Sequence, residues 1–190
     1  MKKLLMLSLV TLMIFLLTGT ASAISFHDEA VESRWISTTD SGPASNGWFQ
    51  LDLPDWYNPA TVSFFQIAMG GHGDNSSSPI DIFLSFSEDH STYRRVANYN
   101  VANYTPFTLT LDILNNDLLY NGADVGNLYN VNPSSFTGLD NFWVGYGCHF
   151  NHDYTKVDIS TAPVPEPATM LLLGSGLIGL AGFGRRKFSK

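Results

Sequence analysis

The chain has 190 residues, with 17 acidic and 10 basic side chains and one cysteine. All of the acidic residues but only four of the basic ones lie between positions 24 and 167, so this segment has a formal charge of −13. Such an acidic segment excludes nucleic acid as a partner, because phosphate binding needs clustered Lys and Arg. A single cysteine excludes an intrachain disulfide, and the segment has the length of one domain.

Residues 1–23 have the three parts of a secretory signal peptide. Two lysines open the chain, residues 4–17 are almost entirely apolar, and Ala21 and Ala23 form a small-residue cleavage site. The alternative is an uncleaved membrane helix, although the apolar run is short for a span. We therefore expect signal peptidase to act here and the mature chain to begin at Ile24.

The segment 24–162 alternates between apolar and polar side chains, with turn residues at short intervals. Alternation of this kind predicts β-strands. The turn-rich stretches are 70–75, 115–117 and 132–135. The predicted strands are 47–53, 61–69, 80–87, 93–101, 107–113, 142–150 and 156–159. About eight short strands at this spacing predict an all-β domain, an antiparallel β-sandwich of the jelly-roll or immunoglobulin-like type.

Trp56 and Tyr57 are the best candidates for binding a sugar. They lie in the loop 54–59, and loops lie on the surface. Sugar rings stack on flat aromatic faces that have polar groups nearby. The alternative is that these rings fill the core, as most aromatic side chains in a sandwich do.

Cys148, two histidines and an aspartate form the segment richest in metal-ligating residue types. These types suit zinc or copper, but alternation along a strand sends Cys148 and His149 to opposite faces. A site would therefore require His149, His152 and Asp153 to meet at a turn. We predict a buried cysteine beside a polar strand end and keep the metal site as the weaker alternative.

The loop 71–81 is long, polar and rich in oxygen ligands. Asp74 and Asp81 are candidate calcium ligands, although their spacing does not match an EF-hand. A flexible loop explains the same composition. We predict a protein without a cofactor and keep calcium as the alternative.

No catalytic motif supports an enzyme. The chain has no G-x-S-x-G elbow, and no motif accompanies Cys148 as a nucleophile. Glu88 and Asp89 are neighbours in a turn, whereas glycosidase carboxylates face each other across a cleft. These observations predict a non-enzymatic protein.

The segment 163–190 forms a C-terminal tail of three parts. A Pro-Glu-Pro motif precedes an apolar, glycine-rich run at 168–184, and a basic cluster at 185–190 follows it. The run predicts a single transmembrane helix of marginal length, whose far end the basic residues hold in the cytoplasm. The motif residues are Pro165, Glu166, Pro167, Arg185, Arg186 and Lys187.

These three parts, in this order, resemble the PEP-CTERM sorting signal of Gram-negative bacteria. The resemblance implies that an exosortase, a membrane transpeptidase, processes the tail, and that the host makes extracellular polysaccharide and biofilm matrix. A plain C-terminal anchor is the alternative.

Both ends of the chain therefore indicate export. We expect a cell-surface or extracellular-matrix protein that passes through the inner membrane, with a structural or adhesive role and polysaccharide as the candidate ligand. The alternative function is a secreted carbohydrate-active or metal-dependent hydrolase.

Overall fold

The computed structural model describes residues 23–38, 42–73, 78–101, 105–129, 131–163 and 174–177. Ser25–Ala162 is one compact unit, and the two ends of the chain make up a second. In the second unit, residues 174–177 form one helical turn. No helix in the described ranges is long and apolar enough to cross a membrane. The predicted span at 168–184 lies outside these ranges except for that turn.

Strands make up most of the compact unit, with a short 3₁₀ helix at Pro133–Phe136. The strands are β1 (Ser25–Ile36), β2 (Trp48–Asp52), β3 (Val62–Gly73), β4 (Ser78–Ser85), β5 (Tyr93–Val101), β6 (Pro106–Asp112), β7 (Asp117–Tyr120), β8 (Ala123–Asn127), β9 (Asn141–Gly147) and β10 (Phe150–Thr161).

All strand pairs are antiparallel, and they form two sheets. The six-stranded sheet has the order β1-β10-β3-β6-β7-β8, and the four-stranded sheet has the order β2-β9-β4-β5. Side chains from both sheets, such as Phe65 of β3 and Phe142 of β9, belong to one hydrophobic cluster. Two sheets that bury their apolar faces against each other have the layer arrangement of a sandwich. The all-β prediction is confirmed, while the jelly-roll or immunoglobulin-like type stays a prediction.

The 3₁₀ helix closes one end of this core. Asn132 caps it, because its side-chain oxygen accepts from the Ser134 N–H at 2.9 Å. The cap turns Phe136 inward, where it is fully buried. Its ring lies 4.8 Å from that of Phe65 and 5.2 Å from that of Phe142, so one side chain contacts both sheets.

The predicted strand 142–150 is confirmed as far as Gly147 and wrong beyond it, because the chain turns a corner there. β9 ends at Gly147 in the four-stranded sheet, and β10 begins at Phe150 in the six-stranded sheet. Cys148 lies between them with φ of 90°, a left-handed backbone that cannot continue a strand. Cys148 and His149 are therefore not on opposite faces of one strand, and Sγ lies 3.7 Å from Nδ1 of His149.

The predicted turn at 70–75 is wrong for residues 70–73, because β3 continues to Gly73. Gly70 pairs with Tyr154, whose ring lies so close that a Cβ on Gly70 would be 2.2 Å from Cε1. The glycine makes room for a neighbouring ring and does not mark a turn.

The prediction missed β1, β7 and β8. β1 is an edge strand that carries mostly polar side chains, so its alternation is weak. β7 and β8 are joined by Asn121-Gly122, with φ of 50° and 82°. An Asn-Gly pair with positive φ at both residues is a strong hairpin signal, and the sequence contains it.

Candidate functional site

An open groove of about 480 Å³ lies where the end of β2 meets the beginning of β9 and of β1. Typical ligand sites occupy about 300–1,000 Å³. We call it the Trp56 groove. It is lined by Phe26, Asp52, Leu53, Pro54, Asp55, Trp56, Asp140 and Asn141.

The local sequence fixes the floor and the rim of this groove. Asp52 is the last residue of β2 and pairs with Asn141 of β9. The next N–H, of Leu53, donates to the Asp140 carbonyl at 2.8 Å, and Leu53 is buried. Pro54 follows and cannot donate to a ladder, so the strand ends there. Residues far apart in sequence are thereby held side by side.

A tight turn presents Trp56 to the groove. The Tyr57 N–H donates to the Pro54 carbonyl at 2.8 Å, which closes the turn over Asp55 and Trp56. Trp56 is half-buried, packs against the hydrophobic core and lines the groove. Phe26 does the same from β1. The groove therefore has an apolar aromatic surface anchored in the core.

The prediction that Tyr57 joins Trp56 in stacking on a sugar is not supported, because Tyr57 is 8% exposed. Its hydroxyl donates to the Pro133 carbonyl at 2.7 Å, and its ring contacts Phe65 and Phe136 edge to face. Burial raises the pKa of Tyr57 to about 12. Tyr57 is a structural residue that holds the turn against the core.

The rim of the groove is acidic. Asp52, Asp55 and Asp140 are exposed, and no basic side chain in the described ranges pairs with them. A fourth carboxylate adjoins them, because Asp28 Oδ2 accepts from the Asp52 N–H at 2.8 Å. Three of the four basic residues of the compact unit form ion pairs with acidic residues outside the groove. Their ion pairs are Arg34–Glu32, Arg95–Asp81 and Lys156–Asp158.

The other tryptophans do not form a comparable site. The Trp48 ring stacks on His90 at 4.4 Å and lies against the backbone of Gly145, and Trp143 meets the edge of the same His90 ring at 4.5 Å. This cluster pins the β4–β5 loop to the outer face of the four-stranded sheet. Trp35 is 43% exposed but does not line the groove.

The weak metal candidates do not meet. His152 is fully buried, whereas Asp153 pairs with His72 at 3.0 Å, and His149 contacts Cys148. No group of three or more His, Cys, Asp or Glu in the described ranges is arranged to hold a metal ion.

Of the calcium candidates, Asp81 is engaged by Arg95 at 3.2 Å and by Asn98 at 2.8 Å. Asp74 lies outside the described residues, so the calcium alternative at the loop 71–81 stays untested.

The sorting motif and most of the signal peptide also lie outside the described residues. Ala21 and all six motif residues fall there, and Ala23 is an exposed residue before β1. The comparison with known families covers the tail. Residues 163–187 match the model of the PEP-CTERM protein-sorting motif.

The chain carries a PEP-CTERM sorting tail. This tail implies export, processing by exosortase, and placement at the surface or outside the cell. The match covers the tail alone, and the compact β unit lies outside it. No curated protein matches the chain.

Solved structures similar to this chain include three β-rich proteins. Galectin LEC-6 of Caenorhabditis elegans has 11% identity and a TM-score of 0.35, over 66% of this chain and 94% of the galectin. A disulfide-linked pilus protein of Bacillus endospore appendages has 10% identity and a TM-score of 0.29, over 77% and 95%. Botulinum neurotoxin type C, which interacts with two ganglioside molecules during cell entry, has 9% identity and a TM-score of 0.33, over 83% of this chain and 47% of the toxin chain. These scores are too low to support an inference about this chain.

Proposed function

We propose that this exported protein is a non-catalytic surface or matrix component that binds polysaccharide in the Trp56 groove. The single observation that carries the proposal is a half-buried tryptophan lining an open groove between exposed carboxylates and Asn141. An aromatic face packs against the apolar face of a sugar ring, and oxygen and amide groups around it bond the hydroxyls.

Trp56 suits this role because its ring is both accessible and held in place by the core. Its ring packs partly on the core, so little side-chain freedom is lost when a ligand arrives. An open groove admits a stretch of polymer, whereas a closed pocket admits only a chain end. The sorting tail implies export, and an exported groove can meet extracellular polysaccharide.

Binding of oligosaccharides to the full chain tests the proposal. A panel of hexasaccharides is titrated against wild type, Trp56→Ala and the control Trp35→Ala, which removes another partly exposed indole outside the groove. We expect Trp56→Ala to weaken binding about tenfold, since an aromatic contact contributes about 0.5–1.5 kcal/mol beyond its buried area and about 1.4 kcal/mol corresponds to a factor of ten. Equal affinities for wild type and Trp56→Ala would reject the groove as the site.

A hydrolase is the second candidate, because three aspartates line the same groove. All three are exposed, whereas the general acid of a glycosidase is typically held in an apolar environment. Incubation of the panel with the full chain, followed by measurement of new reducing ends, separates the two functions. Turnover by wild type that Asp55→Asn or Asp140→Asn abolishes would favour the hydrolase, and intact hexasaccharides favour the binding protein.

A further inference from the structure

We infer that the Trp56 groove selects cationic polysaccharide, namely polymers of amino sugars with free amines, over neutral or uronic-acid polymers. This inference rests on the proposed function and names the class of sugar that the site takes. The aromatic surface of the groove favours a sugar of any charge. The charged side chains around that surface determine which sugar binds most tightly.

The carboxylates of the rim are available for a ligand. Asp55 and Asp140 have exposed side chains with no basic partner in the described ranges. The hydrogen bonds that shape this part of the groove are made by neighbouring residues or by backbone groups. Leu53, for example, donates its N–H to the backbone carbonyl of Asp140 and not to its carboxylate. The negative charge at the groove is therefore uncompensated within the described protein.

An ammonium group compensates this charge better than a metal ion does. The described carboxylates do not form a group that could hold a metal ion, so they do not converge on one point. A polymer with an amine on each ring supplies cations at intervals along the groove and can meet separate carboxylates. A uronic-acid polymer would place its own carboxylates against Asp52, Asp55 and Asp140, and like charges at short range repel.

The aromatic surface strengthens the same preference. Trp56 and Phe26 line the groove beside these carboxylates, and a cation near an indole face is attracted by the ring quadrupole. The ring contributes to the binding of every sugar, and the aspartates, which also accept from hydroxyls, contribute most to the binding of the charged one. Trp56 and Asp55 are consequently expected to have separable effects on affinity and selectivity.

Four β-1,4-linked hexamers test the inference on the full chain: glucose, N-acetylglucosamine, glucosamine and mannuronate. The first three share one backbone and differ only in the group on carbon 2. Affinities are measured at low salt and a pH of about 5.5, where amines are protonated and ordinary aspartates are ionised. The variants are Asp55→Asn, Asp140→Asn, Trp56→Ala and Glu88→Gln, the last being an exposed residue outside the groove that removes one charge as well.

The glucosamine hexamer is expected to bind about fivefold more tightly than the glucose hexamer, because one exposed ion pair contributes up to about this factor. Asp55→Asn and Asp140→Asn should weaken the binding of the glucosamine hexamer more than that of the glucose hexamer and so reduce that preference, whereas Glu88→Gln should change neither affinity. Added salt should lower the preference.

Three results would overturn the inference, and they differ in what else they reject. Equal or tighter binding of the glucose or mannuronate hexamer, still dependent on Trp56, would reject the charge selection and leave the proposed function standing. Absence of binding by all four hexamers would reject the proposed function together with the inference. Equal loss in Asp55→Asn and Glu88→Gln would assign the preference to the net charge of the protein instead of to the groove.

Discussion

Replacing His152 with alanine should destabilise the fold by about 3–5 kcal/mol. The imidazole is fully buried, with Nδ1 2.8 Å from the Glu32 carbonyl and Nε2 2.7 Å from Thr155 Oγ1. A carbonyl only accepts, so Nδ1 carries the proton and Nε2 accepts from Thr155. Truncation removes both hydrogen bonds, which costs about 1–3 kcal/mol in total, while the Thr155 hydroxyl keeps the Tyr146 hydroxyl as a partner at 2.8 Å. It also removes a ring stacked on Phe49 at 3.8 Å, and the resulting cavity costs about 2 kcal/mol more.

The same geometry predicts how stability depends on pH. Burial lowers the pKa of His152 below its ordinary value, and the nearby Arg34 acts in the same direction. Below a pH of about 6.5 the unfolded chain therefore binds a proton that the native protein does not. Stability is full above that pH and falls as the pH drops towards the native pKa, by at most about 1.4 kcal/mol per pH unit.

Urea unfolding of the full chain between pH about 4.5 and 7.5 measures both effects. His152→Gln keeps a side chain able to reach one partner and removes the titration, so its stability should be nearly flat across this range. The control His72→Ala removes an exposed histidine paired with Asp153 and should cost less than about 1 kcal/mol. A wild-type slope that persists in His152→Gln would refute this assignment.

Three further predictions concern packing and metal binding. Gly70→Ala should destabilise the fold by about 1–3 kcal/mol, because a Cβ would overlap the Tyr154 ring. In thermal unfolding, the double variant with Tyr154→Ala should lose less stability than the sum of the two single losses, and strictly additive losses would contradict the overlap. Tyr57→Phe should lose about 1 kcal/mol with its bond to Pro133 and leave sugar affinity unchanged; an equal loss of affinity would put Tyr57 in the site. A chelator should leave the melting temperature unaltered, whereas a calcium-dependent rise would establish the calcium alternative.

Local patterning was sufficient for β2, which alternates and ends before Pro54, and for β5. β5 was predicted at 93–101 and is found there, and β2 lies within one residue of its prediction at each end. The failures lie where a distant contact overrides the local pattern. Gly70 locally favours a turn, but its role is to leave room for the Tyr154 ring. No local pattern predicts the positive φ of Cys148.

The candidate site was predictable only in part. Loop chemistry pointed to Trp56, and the structure places it in the groove. Its neighbour Tyr57 is also aromatic and lies in the same loop, yet its hydroxyl donates to the Pro133 carbonyl inside the protein. Asp140 and Phe26 join the groove through strand pairing and packing, which depend on residues far away in sequence. Composition indicates that the surface is acidic, but the register of β2 against β9 decides where that charge faces an aromatic ring.

The most direct test of the central claim is the distribution of the protein in cultures of its native host. Wild type, Trp56→Ala and Trp35→Ala are each quantified in the matrix polysaccharide fraction and in the medium, with intact masses to compare export and tail processing. Polysaccharide binding through the groove predicts that Trp56→Ala is exported and processed like wild type but is released into the medium, while Trp35→Ala stays in the matrix. Retention of Trp56→Ala at the wild-type level would contradict it.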